Sequence, residues 1–335
     1  MRLAAVLLLA LAVSVPVSAL SVAGGPAPML PEEGPDVPVT TPPVATLLPF
    51  DQSYWSCDGG VRTAMVTIPS VPWNRAQLTF VDDAGTDVYD RLFGVSLGGV
   101  EVMHGTTPRT NMTLTRDVTY ASAAFPPGST VPVGLFFGTY TGWQRLTVRL
   151  DFYEDPTAAL VEPAHASTIP VFTFRDITVP RLPSGATTPV AVAFPGAAPS
   201  SAIVEMFTSG HGQQGEFFYL TAPHTPPVFH VLVDGVEVGN LTAMPYTYAL
   251  AGFGSISCSD GTNSPLEHQA MWWTAQQALN DAGVYPGVGQ IPPYRAVVPA
   301  SMLPLLSGNR TVDVTYTGAE PGDANWWSSL NFHLD

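Results

Sequence analysis

Thirty-four prolines and thirty glycines run through the 335 residues of this chain, and they interrupt it too often for long helices. Between the interruptions lie short runs rich in β-branched and aromatic residues. Residues 61–69, 75–81, 91–97, 100–104, 112–118, 131–137 and 145–152 form a first series. A polar, proline-containing stretch at 154–168 follows it. A second series covers 169–174, 188–194, 201–207, 217–221, 229–233, 311–316 and 326–333. Runs this short, closed by Gly, Pro, Asn or Asp, predict an all-β protein built from antiparallel sandwiches. Within 91–97, alternation sets Leu92, Gly94 and Ser96 on one face and Phe93, Val95 and Leu97 on the other.

The N-terminus reads as an address. Arg2, an uncharged apolar run and the small residues Val17-Ser18-Ala19 predict a secretory signal peptide over 1–19. The apolar run is short for a bilayer, which needs about 20 residues, so no membrane span and a secreted, extracellular protein are expected. Residues 20–48 lack periodicity and are rich in Pro, Gly, Val and Thr, which predicts a disordered or extended arm. The remainder exceeds the usual size of one hydrophobic core, so two domains are expected, at 49–160 and 161–335. The chain has no lysine and a formal net charge of −15, which opposes binding to nucleic acid or anionic lipid. A monomer is expected. Cys57 and Cys258 could form one bridge, worth roughly 2–4 kcal/mol, or remain two free thiols. Two cysteines with seven scattered histidines make no zinc signature, and no His-x-His pair favours a copper monooxygenase. No cofactor is expected.

Two segments concentrate the polar chemistry. In the first half, Asp90-Arg91 opens the strand that runs into Leu97-Gly98-Gly99-Val100-Glu101. A carboxylate at a strand mouth beside a guanidinium is held ionised at neutral pH. In the second half, Ser209-Gly210-His211-Gly212 leads through two glutamines to Glu216 and the aromatics Phe217-Phe218-Tyr219. Residues 254–289 are long for a loop and carry a helical pattern over 270–282, including Trp272 and Trp273. A loop of that length is more often a functional insertion than a spacer.

Taken together and in order, these segments resemble the peptide-N-glycosidase family, amidases that cut asparagine-linked glycans from glycoproteins. Supporting matches are Arg116-Asp117-Val118-Thr119-Tyr120, Thr139-Tyr140-Thr141-Gly142, Val233-Asp234-Gly235 and Ala282-Gly283-Val284-Tyr285-Pro286-Gly287. The resemblance implies two adjacent eight-stranded antiparallel jelly-roll sandwiches with the active site in the cleft between them. By position, Asp90 matches the principal catalytic aspartate, Arg91 the neighbouring arginine at the sugar-binding end, and Glu216 the glutamate from the second domain. His211, Trp272 and Tyr285 are the other expected substrate contacts. N-glycosylated peptides or glycoproteins are the implied partners. A further glutamate of the bacterial members is missing near Phe136-Phe137-Gly138, and Asp281 stands where they carry an arginine. The resemblance is therefore closer to plant- and archaeal-type members. The alternative reading is a non-catalytic glycan-binding module whose exposed aromatics stack on sugar rings.

Overall fold

The computed structural model describes residues 39, 41–56, 59–84, 91–107, 111–138, 143–155, 164–178, 189–211, 228–242, 289–290, 293–317 and 325–335. The first half contributes β1 (Ala45–Ser56), β2 (Gly60–Thr67), β3 (Arg75–Ala84), β4 (Arg91–Leu97), β5 (Val100–Thr107), β6 (Met112–Asp117), β7 (Thr130–Phe137) and β8 (Trp143–Tyr153). The second contributes β9 (Ser167–Thr178), β10 (Val190–Ala193), β11 (Ala202–His211), β12 (Val228–Val233), β13 (Val236–Thr242), β14 (Gly289–Gln290), β15 (Tyr294–Val297), β16 (Asn309–Thr317) and β17 (Asn325–Leu334).

The strand orders identify the architecture. In the first half the sheets run β1-β8-β3-β6 and β5-β4-β7-β2. With β14 set aside, the second half repeats the same scheme as β9-β17-β11-β15 and β10-β16-β12-β13. Each half thus sets its first, eighth, third and sixth strands against its second, seventh, fourth and fifth. This is the order of a jelly roll, closed by antiparallel pairs throughout. The expected pair of eight-stranded sandwiches is what the chain forms. β14 is the exception, because it comes from the second half yet pairs with β5 at Gly289–Thr106 and Gln290–Gly105.

Each sandwich has its own core. Phe80 stacks on Phe93 at 4.0 Å between the two sheets of the first, and Trp55 meets Phe137 edge-on. Phe194 and Phe332 meet edge-on in the second, among Val204, Met206, Phe229 and Leu330.

Some expectations need revision, and others fall outside the described residues. β1 begins at Ala45, inside the stretch read as an arm, since Ala45, Leu47 and Phe50 pack on the first core. Pro49 hid the strand. It sits where the β1–β8 register shifts between Leu47 and Phe50, on an edge strand where a missing N–H is tolerated. β13 and β15 were not foreseen: Glu237 and Asn240 in β13, and Arg295 in β15, break the apolar runs. The boundary expected at 160/161, the run at 217–221, the helical pattern at 270–282 and both cysteines lie outside the described residues.

Candidate active site

Every residue of β4 is buried because both of its faces are covered. Phe93, Val95 and Leu97 enter the first core, as alternation predicts. The opposite face meets the second sandwich. There Gly94 and Gly134 leave a notch, and the ring of Phe174 fills it. A Cβ on Gly94 would stand 2.5 Å from Phe174 Cε1 and 2.5 Å from Glu101 Oε1, and one on Gly134 would stand 3.4 Å from Phe174 Cε2. Phe174 reaches the notch from an irregularity in β9, where pairing with β17 shifts between Ser328 and Leu330. Its φ is 52°, in the left-handed region, and its N–H donates to Ser329 Oγ at 2.8 Å. Phe136 completes the wedge, stacked on Phe174 at 5.8 Å and on Trp327 at 4.5 Å.

Further along the same seam the contacts become ionic. Glu205, fully buried in the middle of β11, accepts from Arg295 Nε at 2.7 Å and lies 3.1 Å from His333 Nε2. Asn331 Nδ2 donates to Glu205 Oε1 at 3.2 Å and to the Glu101 carbonyl at 3.3 Å, which ties the two sandwiches together. His104 Nδ1 lies 2.8 Å from Glu101 Oε1. The Arg116 guanidinium stands 5.6 Å from the Tyr120 ring and 5.2 Å from Phe207, and Arg295 stands 4.8 Å from Tyr120. Burial alone would raise the pKa of Glu205. Arg295, His333 and Arg116 overcome that desolvation and hold the carboxyl far below the ordinary range.

These contacts fix how the candidate segments relate. Across the seam, Glu205 is level with Glu101 and hence with its β4 partner Ser96. Phe207 is level with His104 and its partner Gly94. Trp327, the partner of Ser209, touches Phe136, which also pairs with Gly94. Passing forward along β11 toward His211 therefore corresponds to passing backward along β4 toward Arg91. Both strand ends come out at one rim, and β14 reaches the same rim beside Thr106, the partner of Leu92.

Arg91 is the one expected site residue whose side chain is described. It is 8% exposed, so it is no loose surface group, and its backbone N–H donates to Thr107 Oγ1 at 3.0 Å. His211 ends β11 opposite Asn325. Asp90, Glu216, Trp272 and Tyr285 lie outside the described residues. Among the described residues, no three His, Cys, Asp or Glu side chains gather to hold a metal ion.

Several matched motifs have structural duties. Gly98 and Gly99 form the β4–β5 hairpin with φ of 59° and 88°, and a Cβ on Gly98 would stand 2.1 Å from the Ala124 carbonyl. The Gly99 carbonyl accepts from Thr173 Oγ1 of the second sandwich. Asp234-Gly235 makes the β12–β13 hairpin in the same way, with φ of 49° and 79°. The Asp234 carboxylate accepts from Thr311 N–H and Arg310, which lowers its pKa. Tyr120 packs edge-on against His333 across the seam. The seam residues Glu205, Asn331 and His333 were not foreseen. Their signal was present: single polar side chains inside the apolar strands Ile203–Phe207 and Leu330–Leu334 require buried partners.

Residues 45–226 match the family described as peptide N-acetyl-beta-D-glucosaminyl asparaginase amidase A. No curated protein matches the chain. Among solved structures, PNGF-II is 14% identical with a TM-score of 0.58, the match covering 87% of this chain and 65% of PNGF-II. Recombinant peptide: N-glycanase F is 15% identical with a TM-score of 0.54, covering 87% of this chain and 95% of the other. PNGase F from Flavobacterium meningosepticum, a glycosylasparaginase, is 14% identical with a TM-score of 0.51 over the same shares. At these identities the likeness concerns the fold.

Proposed function

This chain belongs to the peptide N-acetyl-beta-D-glucosaminyl asparaginase amidase A family, and from that premise we propose that it is a secreted amidase acting on N-glycosylated peptides or glycoproteins. The bond cleaved is the amide between the asparagine side chain and the first sugar. Water adds its oxygen to the amide carbonyl carbon, the C–N bond breaks, and the nitrogen leaves with the sugar as a protonated glycosylamine. Asparagine is left as aspartate. The step needs a base for the water and a proton donor for the leaving nitrogen, and neither demands a metal. In this reading Asp90 activates the water, and Glu216 orients the linkage or supplies the proton. Arg91, His211, Trp272 and Tyr285 hold the sugar. The missing carboxylate near Phe136 supports a place nearer the plant- and archaeal-type members. The signal-like residues 1–19 support action outside the cytoplasm.

The observation that carries the reading is the seam register, which brings the Arg91 end of β4 and the His211 end of β11 to one rim. A groove between domains is a common site for small ligands. The test is mass spectrometry of an N-glycopeptide after incubation. Free glycan and Asn-to-Asp conversion are expected, and Asp90→Asn should lower the rate by about a hundredfold or more. A core sugar retained on asparagine, or near wild-type turnover by Asp90→Asn, overturns it.

A further inference from the structure

We propose that the outer face of the first sandwich carries an accessory carbohydrate-stacking site, built on Tyr54, Trp143 and Arg145, that takes outer pyranose rings of the substrate's glycan. The identity of the ligand rests on the amidase reading; the site itself rests on the geometry at the end of the β1–β8 ladder. Tyr54 pairs with Arg145 and Ser56 with Trp143 near the end of the β1–β8 ladder. The intervening Trp55 and Gln144 are fully buried and turn inward, so Tyr54, Trp143 and Arg145 turn outward. The Tyr54 and Trp143 rings stack with centroids 5.8 Å apart and planes 26° from parallel. The Arg145 guanidinium lies 5.6 Å from the Trp143 centroid.

This arrangement is held from beneath. Arg62 donates through Nη1 to the Tyr54 carbonyl at 2.7 Å, while its guanidinium sits 3.9 Å over Trp55. Tyr54 nevertheless stays 53% exposed, so the core does not need its ring. A pyranose has an apolar C–H face, which suits an aromatic ring, and equatorial hydroxyls at its edge, which suit guanidinium donors. Arg145 is exposed and enters no ion pair among the described residues.

The size and surroundings of the patch argue for a sugar. Tyr54 follows the exposed Asp51 and Gln52, and the stacked Tyr54–Trp143 pair offers far less than the roughly 800 Å² per partner of a protein interface. The net charge of −15 disfavours an anionic surface. Its position fits a branch of the substrate. Trp55 under the patch touches Phe137, which pairs with Phe93 of β4, so the patch lies at the same end of the sandwich as the Arg91 rim.

Tyr54→Ala removes the open ring, and Tyr54→Phe keeps it. Binding of a free full-length N-glycan oligosaccharide and of free chitobiose is read by calorimetric titration, and KM and kcat are read on the matching glycopeptides. For the full-length glycan, Tyr54→Ala should weaken binding and raise KM by roughly fivefold to tenfold with kcat unchanged. Tyr54→Phe should behave as wild type, and chitobiose should not distinguish the three proteins. Equal affinity of wild type and Tyr54→Ala for the full-length glycan, or no binding of it, overturns the site. If no glycopeptide is cleaved, the amidase reading falls and the titration still decides the stacking site. If cleavage is intact and Tyr54→Ala changes nothing, the stacking site falls alone.

Discussion

Phe174 and Glu205 both lie at the seam, one as a hydrocarbon wedge set into the first sandwich and the other as a carboxylate held within the second and joined to the first through Asn331, which also donates to the Glu101 carbonyl. Phe174 fits a notch that exists because Gly94 and Gly134 carry no side chain, and its ring stacks with Phe136 and through it with Trp327. Glu205 is held by Arg295, His333 and Asn331, in geometry that admits few alternatives. Dispersion contacts are non-directional and indifferent to protonation. A buried ion network is directional and depends on every member. The ionic part therefore fixes register, and the wedge, nearer the Arg91 rim, fixes how closely the sandwiches approach beside the candidate site.

The largest break in this comparison is expected at Glu205. Glu205→Ala leaves the buried His333 and the part-buried Arg295 beside an empty position, and loss of one partner of a buried pair costs about 3–5 kcal/mol. Chemical denaturation should show it as a lowered midpoint. The same group is expected to contribute to the acid limit. Its folded pKa lies well below the unfolded value of about 4.3. Its stabilisation is therefore fully present above that pH and is lost as pH falls toward the folded pKa. Wild-type stability should decline below about pH 4, and Glu205→Gln should flatten that decline when unfolding is followed against pH. An unchanged acid limb would show that the ionic part of the seam is not what acid attacks.

Much of each sandwich was readable because its signals are local. Alternation in 91–97 correctly divided Phe93, Val95 and Leu97 from Leu92, Gly94 and Ser96, and paired glycines marked the hairpin at Gly98-Gly99. The seam was not readable because its partners are remote: Asn331 reaches across 126 positions to Glu205 and 230 to Glu101. The family motifs at Leu97–Glu101 and Arg116–Tyr120 do not by themselves separate docking residues from chemical ones. In the structure both serve the seam, through Thr173 on the Gly99 carbonyl and Tyr120 against His333. For the candidate site, the expected run 91–97 coincides with β4, whereas β11 continues past the expected end at 207 to His211, and only the seam register shows that the two strand ends share a rim.

A smaller effect on stability, but a sharper one on function, is expected at the notch. Gly94→Ala places a methyl 2.5 Å from both Phe174 Cε1 and Glu101 Oε1, so the wedge must shift. Overpacking of this kind costs about 1–3 kcal/mol. Because the displaced rings flank β4 near Arg91, kcat/KM for glycopeptide cleavage should fall more than the loss of folded protein explains. The comparison with the ionic part is direct, since a Glu205→Gln protein that remains folded should keep more of its kcat/KM than Gly94→Ala does.

The finest test separates the Phe174 ring from the backbone that carries it. Phe174→Ala and Phe174→Gly both empty the notch, and glycine buries less apolar surface than alanine. At an ordinary strand position glycine would be the less stable of the two. Here φ is 52°, where an L side chain pays roughly 1–2 kcal/mol that glycine avoids. Phe174→Gly should accordingly unfold at higher denaturant than Phe174→Ala, by about 1 kcal/mol in stability, while both lose the wedge. The reverse order would mean that the backbone leaves the left-handed region once the ring is gone. The irregularity in β9 would then be held open by the notch, through the ring, and not by the β9–β17 ladder.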